Sequence, residues 1–148
     1  HCAGMVCLRL DDVLFCADHL LATTNPRLTP SHLEPHNGLE LYLASLDRVA
    51  AEAGIRLGLA GHEAPMADIY ARIAAIRESH MSRLAQLSEL CRQPRTILEL
   101  AAQVYPEMRQ PGQLLLAIQA IAARVEYLEQ QGVLSATGMA WRTTPILV

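Results

Sequence analysis

The chain has 148 residues, of which 51% are hydrophobic and 18% are charged, and its formal net charge at neutral pH is -3. This balance excludes a disordered chain, which needs few apolar residues, and a strongly basic protein that binds nucleic acid through its overall charge. No apolar run is long enough to cross a bilayer, so the sequence predicts a soluble cytoplasmic protein without a membrane partner.

The first part of the chain predicts three strands, a loop and a helix. In chain order these are strands at 5–10 and 13–16, a proline-rich loop at 22–36, a helix at 37–54 and a strand at 55–61. The first two strands are joined by Asp11 and Asp12, as expected for a hairpin. Asn37, with Glu40 three positions later, has the pattern of a helix capping box, and Gly54 is a typical helix end.

The character of the sequence changes at EAPMAD, residues 63–68, which predicts a domain boundary between residues 1–64 and residues 65–148. The second predicted domain has helices at 67–91, 97–105 and 113–131, a Pro/Gly linker at 111–112, and a hairpin at 133–144. Thr96 and Glu99 form a second capping-box pattern at the start of the short helix. Three helices followed by a hairpin is the order of a winged helix.

Three side chains that could ligate a metal ion lie at the ends of predicted strands. His1 precedes the first strand, Asp18 follows the second, and His62 follows the third. Groups at strand ends can converge on one rim of a sheet, and imidazole with carboxylate is the ligand mixture of catalytic zinc sites. An aspartate after a strand also commonly caps a turn, so the spacing alone leaves both roles open for Asp18.

These segments resemble the metallo-β-lactamase-fold hydrolases. HCAGMVCLRL (1–10) resembles the family's H-x-x-G-H segment, LFCADHLL (14–21) resembles its LF-x-G-D strand, and LAGHEAP (59–65) is similar to its closing G-H motif. The segment that follows is similar to the C-terminal domain of the subgroup with glyoxalase-II-like and endoribonuclease-like members. Two residues depart from the pattern: Met5 replaces the second histidine of the first motif, and Ala17 replaces the glycine before the aspartate.

The resemblance implies an α+β fold, with the C-terminal half of an αββα metallo-β-lactamase domain followed by a small winged-helix domain. It makes His1 a ligand of one metal ion, Asp18 a carboxylate that bridges two ions, and His62 a ligand of the second ion. The implied cofactor is zinc, and the implied reaction is hydrolysis of an ester, thioester or phosphodiester by a metal-bound hydroxide. His19, beside the bridging aspartate, is expected to line the cleft or to hydrogen-bond a ligand.

The family's H-x-H-x-D-H cluster is absent from these residues. The resemblance places that cluster upstream of His1, so we expect the chain to be a truncated part of a hydrolase, inactive alone and with weak or no zinc binding, whereas the parent would hold two ions. The parent's substrate is expected to be a small molecule or a nucleotide-type compound. A half domain exposes a sheet face, so the chain is expected to form a homodimer.

An alternative function is a non-catalytic binding or regulatory module, in which the winged helix acts and the metal site is vestigial. Duplex DNA is not an expected partner, because the third helix carries only Arg124, against Glu126 and Glu129, and the hairpin adds only Arg142. His80, in the long helix, is expected at the surface.

Overall fold

The structure of the protein is a computed structural model, which describes residues 4–108 and 110–144. The helices and strands of these residues are β1 (Leu8–Leu10), β2 (Val13–Ala17), α1 (Leu39–Ala50), β3 (Leu57–Ala60), α2 (Ile69–Leu90), α3 (Ile97–Val104), α4 (Pro111–Gln130), β4 (Leu134–Thr137) and β5 (Ala140–Thr143). This mixture confirms the predicted α+β class. Within the described ranges, no helix is long and apolar enough to cross a membrane.

β2 is the central strand of a three-stranded sheet with the order β1-β2-β3. It pairs antiparallel with β1 across the turn at Asp11 and Asp12, which confirms the predicted hairpin. It pairs parallel with β3, with Ala17 opposite Ala60 and an irregularity in the register just before that pair. Because parallel strands run in the same direction, the carboxyl ends of β2 and β3 lie at the same edge of the sheet.

Three predicted helix boundaries are wrong. The N-cap of α1 is Gly38 rather than Asn37, because the Asn37 side chain is used in the preceding turn, where its amide donates to Glu34 and its Oδ1 accepts from the Gly38 N–H. α1 also ends at Ala50, four residues before Gly54. Pro111, predicted to lie in a linker, begins α4, since a residue without an N–H suits the first turn of a helix.

The C-terminal elements follow the predicted order. The capping box of α3 is confirmed: the Glu99 N–H donates to Thr96 Oγ1 at 3.2 Å, and the Thr96 N–H donates to Glu99 Oε2 at 2.8 Å. The predicted hairpin is also confirmed, as the antiparallel pair of β4 and β5. Thr143 Oγ1 donates to the Ser88 carbonyl of α2, which fastens the hairpin to the helices. The assignment of this unit to the winged-helix class stays a prediction.

One hydrophobic core joins residues from both sides of the predicted boundary. Leu46 of α1, Ile76 of α2 and Ile121 of α4 are fully buried members of the same cluster. A polar contact also crosses the boundary: Glu126 of α4 accepts hydrogen bonds from the N–H and the hydroxyl of Ser31, each at 2.8 Å. The two halves therefore share apolar burial and hydrogen bonds, while the division at residue 64 stays a prediction.

His80 is fully buried, so the expectation of a surface position is wrong. It lies on the inward face of α2, whose buried members include Ile73, Ile76, His80, Leu84 and Leu87. Spacings of three and four residues put these positions on one side of a helix. This pattern could have predicted from the sequence that His80 is buried. Its Nδ1 lies 3.2 Å from Nη2 of Arg124, and its ring meets Tyr42 edge to face. Burial lowers the pKa of His80 to about 4, with a smaller contribution from Arg124.

The sheet leaves an apolar edge uncovered. Leu8 and Leu10 of β1 are each 64% exposed, and Val6 just before the strand is 66% exposed. β1 pairs only with β2 among the described strands, so the outer edge of β1 offers unpaired backbone groups beside apolar side chains. Such an edge favours pairing with another chain.

We expect the free energy of unfolding to fall as the pH drops from 6.5 towards 4. In this range the unfolded chain protonates His80 near the ordinary pKa of 6.5, whereas the folded chain protonates it only near 4, so acid stabilises the unfolded state. His80→Gln should reduce this dependence in urea titrations at pH 7 and pH 4.5 and leave the share of His19, whose pKa is also lowered to about 4, mainly by burial. His36→Gln, which changes an exposed histidine, is the control. A pH dependence that is the same in His80→Gln and in the unchanged protein would contradict the expectation.

Candidate metal centre

Asp18 and His62 meet at the edge where β2 and β3 end. Ala17 pairs with Ala60 in the parallel ladder. Asp18 and His62, which come just after these residues, therefore lie at nearly the same level along the sheet. Nε2 of His62 lies 3.6 Å from Oδ1 of Asp18. The Asp18 side chain is 22% exposed and the His62 side chain is 74% exposed, so the edge combines an enclosed carboxylate with an accessible imidazole.

Gly61 permits this close approach. A Cβ atom at Gly61 would lie 2.8 Å from Oδ1 of Asp18, which is too close for two atoms that are not bonded. The Gly61 N–H donates to the Ala17 carbonyl at 2.9 Å, so the backbone cannot move away without losing a hydrogen bond. An alanine at position 61 would therefore force the Asp18 carboxylate to shift, whereas the glycine of the G-H motif leaves room for it.

Strained backbone flanks the pair on both sides. Ala17, just before Asp18, has φ of 45°, and Glu63, just after His62, has φ of 71°. The left-handed region costs a residue with a Cβ about 1–2 kcal/mol relative to its usual conformations. Ala17 stands where the resembling family has glycine, and its positive φ explains why glycine suits that position. Strain of this kind concentrates at functional sites.

Glu63 holds its own strained turn in place. Its carboxylate accepts hydrogen bonds from the Thr23 N–H and from Thr24 Oγ1, each at 2.6 Å. These hydrogen bonds lower the pKa of Glu63 to about 2, and the bond from the Thr24 hydroxyl contributes most to this shift. The carboxylate thus ties the residue after His62 to the segment that follows Asp18. Sequence reasoning missed this contact, because a separation of about forty residues leaves no local pattern.

His19 lines a cavity beside α1. Its Nε2 lies 3.5 Å from the Ser45 hydroxyl, and its ring meets Tyr42 edge to face at 5.5 Å between centroids. The cavity has a volume of about 420 Å³ and is also lined by His36 and Arg48. Burial is the main reason that the pKa of His19 is lowered to about 4, so this imidazole is neutral at neutral pH.

The described residues bring two of the three predicted ligands together. Asp18 and His62 converge, whereas His1 lies outside the described residues. Two ligands of one tetrahedral zinc ion, each about 2.0–2.1 Å from it, are about 3.3 Å apart, so the observed 3.6 Å separation fits a shared ion. Over residues 4–108 and 110–144, no group of three or more histidine, cysteine, aspartate or glutamate side chains is arranged to hold a metal.

Comparison with known proteins identifies similar folds. No family model and no curated protein matches the chain. Among solved structures, a metallo-beta-lactamase family protein from Thermus thermophilus is 30% identical with a TM-score of 0.77. A beta-lactamase domain protein from Burkholderia ambifaria is 25% identical with a TM-score of 0.81. Each alignment covers 90% of this chain and 42% of the other, so the chain spans about two fifths of the length of these proteins.

We expect Gly61→Ala to weaken metal binding at this edge by about ten- to hundredfold, the usual effect of disturbing the groups around metal ligands. The added Cβ would displace the Asp18 carboxylate. Zinc titration by calorimetry, on the protein expressed from its complete reading frame, measures the change. Gly112→Ala is the control, because a Cβ there meets nothing within 4 Å and the residue lies within α4. Equal zinc affinity in Gly61→Ala and Gly112→Ala would contradict the expectation.

The fold comparison covers most of the chain. The similarity to both solved structures extends over nine tenths of the chain. The chain accordingly has the fold of part of a metallo-β-lactamase protein.

Proposed function

We propose that this chain supplies part of the active site of a zinc-dependent hydrolase that acts on an ester, thioester or phosphodiester. The observation that carries the proposal is the convergence of the Asp18 carboxylate and the His62 imidazole at 3.6 Å. The similarity in fold to two metallo-β-lactamase proteins supports it. The family resemblance of the segments around both residues supplies the choice of zinc.

In this proposal Asp18 would be the carboxylate that bridges two metal ions, His62 would be a ligand of one ion, and His1 would be a ligand of the other. Bound zinc polarises a carbonyl or phosphoryl oxygen and lowers the pKa of water. The chain's own contribution is to hold its donors rigidly. The Gly61 N–H donates to Ala17 and the His19 N–H donates to Cys16, each at 2.9 Å, so backbone bonds surround Asp18 on both sides.

The competing function, a binding module with a vestigial metal site, is less well supported. Duplex DNA remains an unfavourable partner, because Arg124 is the one basic residue of α4 and is only 8% exposed. It lies against the Ala120 carbonyl and His80 rather than at the surface. Phosphate contacts need accessible basic side chains, and α4 offers none.

We expect zinc or manganese to be retained when the protein is expressed from its complete reading frame, loaded with metal and dialysed. Asp18→Asn removes one charge from the proposed bridge, so it should lower the metal content measured by elemental mass spectrometry. It should also reduce hydrolysis of bis(p-nitrophenyl) phosphate or of a simple thioester by at least about a hundredfold.

Asp12→Asn is the matched control, since it changes an exposed aspartate in the β1–β2 turn. It should leave both measurements unchanged. Retention of metal by the unchanged protein without hydrolysis of either substrate would favour the binding module. Equal metal content in the unchanged protein and in Asp18→Asn would contradict the proposed role of Asp18.

We also propose that the chain, taken by itself, forms a homodimer through β1. The apolar Leu8 and Leu10 side chains and the unpaired outer edge of the strand support this. The double variant Leu8→Glu, Leu10→Glu should shift the chain to a monomer in size-exclusion chromatography with light scattering. Leu98→Glu, at a leucine of α3 that is 55% exposed, should leave the mass unchanged. A monomeric unchanged chain would refute the proposal.

A further inference from the structure

A second cavity of about 420 Å³ lies between α2, α4 and the segment 25–28. We call it the arginine cavity, because Arg27, Arg83 and Arg124 line it. No aspartate or glutamate is among the described residues of its wall. It shares no residue with the Asp18–His62 edge or with the cavity beside His19. Its wall therefore carries three positive charges and, within the described ranges, no negative one.

Arg124 is the most unusual group in the arginine cavity. It is 8% exposed, and its Nη1 donates to the Ala120 carbonyl at 2.6 Å while its Nη2 lies 3.2 Å from His80 Nδ1. Its Nε has no hydrogen-bond partner among the described residues. A buried guanidinium normally pairs with a carboxylate or another anion, and the contacts found for Arg124 are to neutral groups.

The neighbours of Arg124 do not neutralise it. His80 accepts from the guanidinium through Nδ1, so its other ring nitrogen carries the proton and the imidazole is neutral. Arg83 lies over the Tyr105 ring, 5.0 Å from its centroid, and donates to the Gln86 side chain at 2.6 Å. Both interactions hold an arginine in place without cancelling its charge. The cavity thus has a fixed positive potential.

Most of the rest of the wall is apolar, and Asn25 and Ser79 are its uncharged polar members. Leu28, Met108 and Leu116 line the cavity beside the Tyr105 ring. A pocket with an apolar wall and a few converging polar groups is typical of small-molecule sites, and its volume lies within their range. The charged side selects a ligand with a negative head group, and the apolar side selects a ligand with a hydrocarbon or aromatic body.

We propose that the arginine cavity binds a small organic anion, with its carboxylate or phosphate held by Arg83 and Arg124 and its apolar body against Leu28, Met108 and Leu116. Guanidinium groups match both head groups in charge and in planar hydrogen-bond geometry. The proposal does not depend on the hydrolase function, because the cavity and the candidate metal centre have separate residues.

Calorimetric titration with three probes of similar size tests the proposal. Phenyl phosphate and benzoate carry the two head groups, and phenol carries none. The buffer is low in salt, free of phosphate, and contains a chelator so that a metal at Asp18 and His62 does not bind the probes. We expect at least one of the two anions to bind, and phenol to bind at least tenfold more weakly. The anion that binds more tightly identifies the head group.

Three variants assign the binding to the cavity. Arg83→Gln and Arg124→Met should each weaken the anion at least tenfold, the effect of losing about one charge-assisted hydrogen bond. Arg56→Gln removes the same charge from a side chain that is 84% exposed and outside the cavity, so it should leave the affinity unchanged. If Arg124→Met does not fold, the anion affinity of Arg83→Gln alone tests the proposal.

The proposal is overturned if neither anion binds, if phenol binds as tightly as the anions, or if Arg83→Gln binds them as tightly as the unchanged protein. Asp18→Asn is included to separate the two sites. Full anion binding in Asp18→Asn, together with its loss in Arg83→Gln, supports the arginine cavity whatever the outcome of the hydrolase assays. A loss of anion binding in Asp18→Asn that matches the loss in Arg83→Gln overturns the assignment.

Discussion

The parallel pairing of β2 with β3 is the constraint on which the candidate metal centre depends. It sets Ala17 opposite Ala60, and this register brings Asp18 and His62 to within 3.6 Å of each other. A slip of one residue would turn every side chain of a strand to the opposite face, which would separate the carboxylate from the imidazole. The positive φ of Ala17 and the absence of a Cβ at Gly61 are local features that accommodate this close approach.

The segment 22–36 connects the candidate metal centre with the arginine cavity. It contains no helix or strand and is held by charged side chains from three other parts of the chain. Glu63 binds Thr23 and Thr24, Arg72 donates to the Thr24 carbonyl at 2.6 Å, and Glu126 binds Ser31. Because charge-assisted hydrogen bonds are stronger than neutral ones, they can order a proline-rich segment that lacks regular backbone pairing.

Prediction from the sequence succeeded where the relevant signal was local. The capping box at Thr96 and Glu99 and the hairpin at its Asp-Asp turn were both recognisable from short patterns. Asn37 failed as an N-cap because its side chain had nearer partners in the turn before the helix. The predicted surface position of His80 was wrong because it rested on the polar side chain alone. The spacing of His80 from Ile73 and Ile76 puts it on the buried face of the helix.

The sequence by itself determined the order of the elements, the α+β class, and the residue types at the strand ends that suggest a metal site. Backbone propensities, turn residues and short motifs are properties of neighbouring residues, so they can be read along the chain. Only the tertiary structure decided that Asp18 and His62 converge, that Glu63 binds Thr23 and Thr24, and that Arg124 lies buried against neutral groups. These contacts join residues that are about forty positions apart, and packing alone selects them.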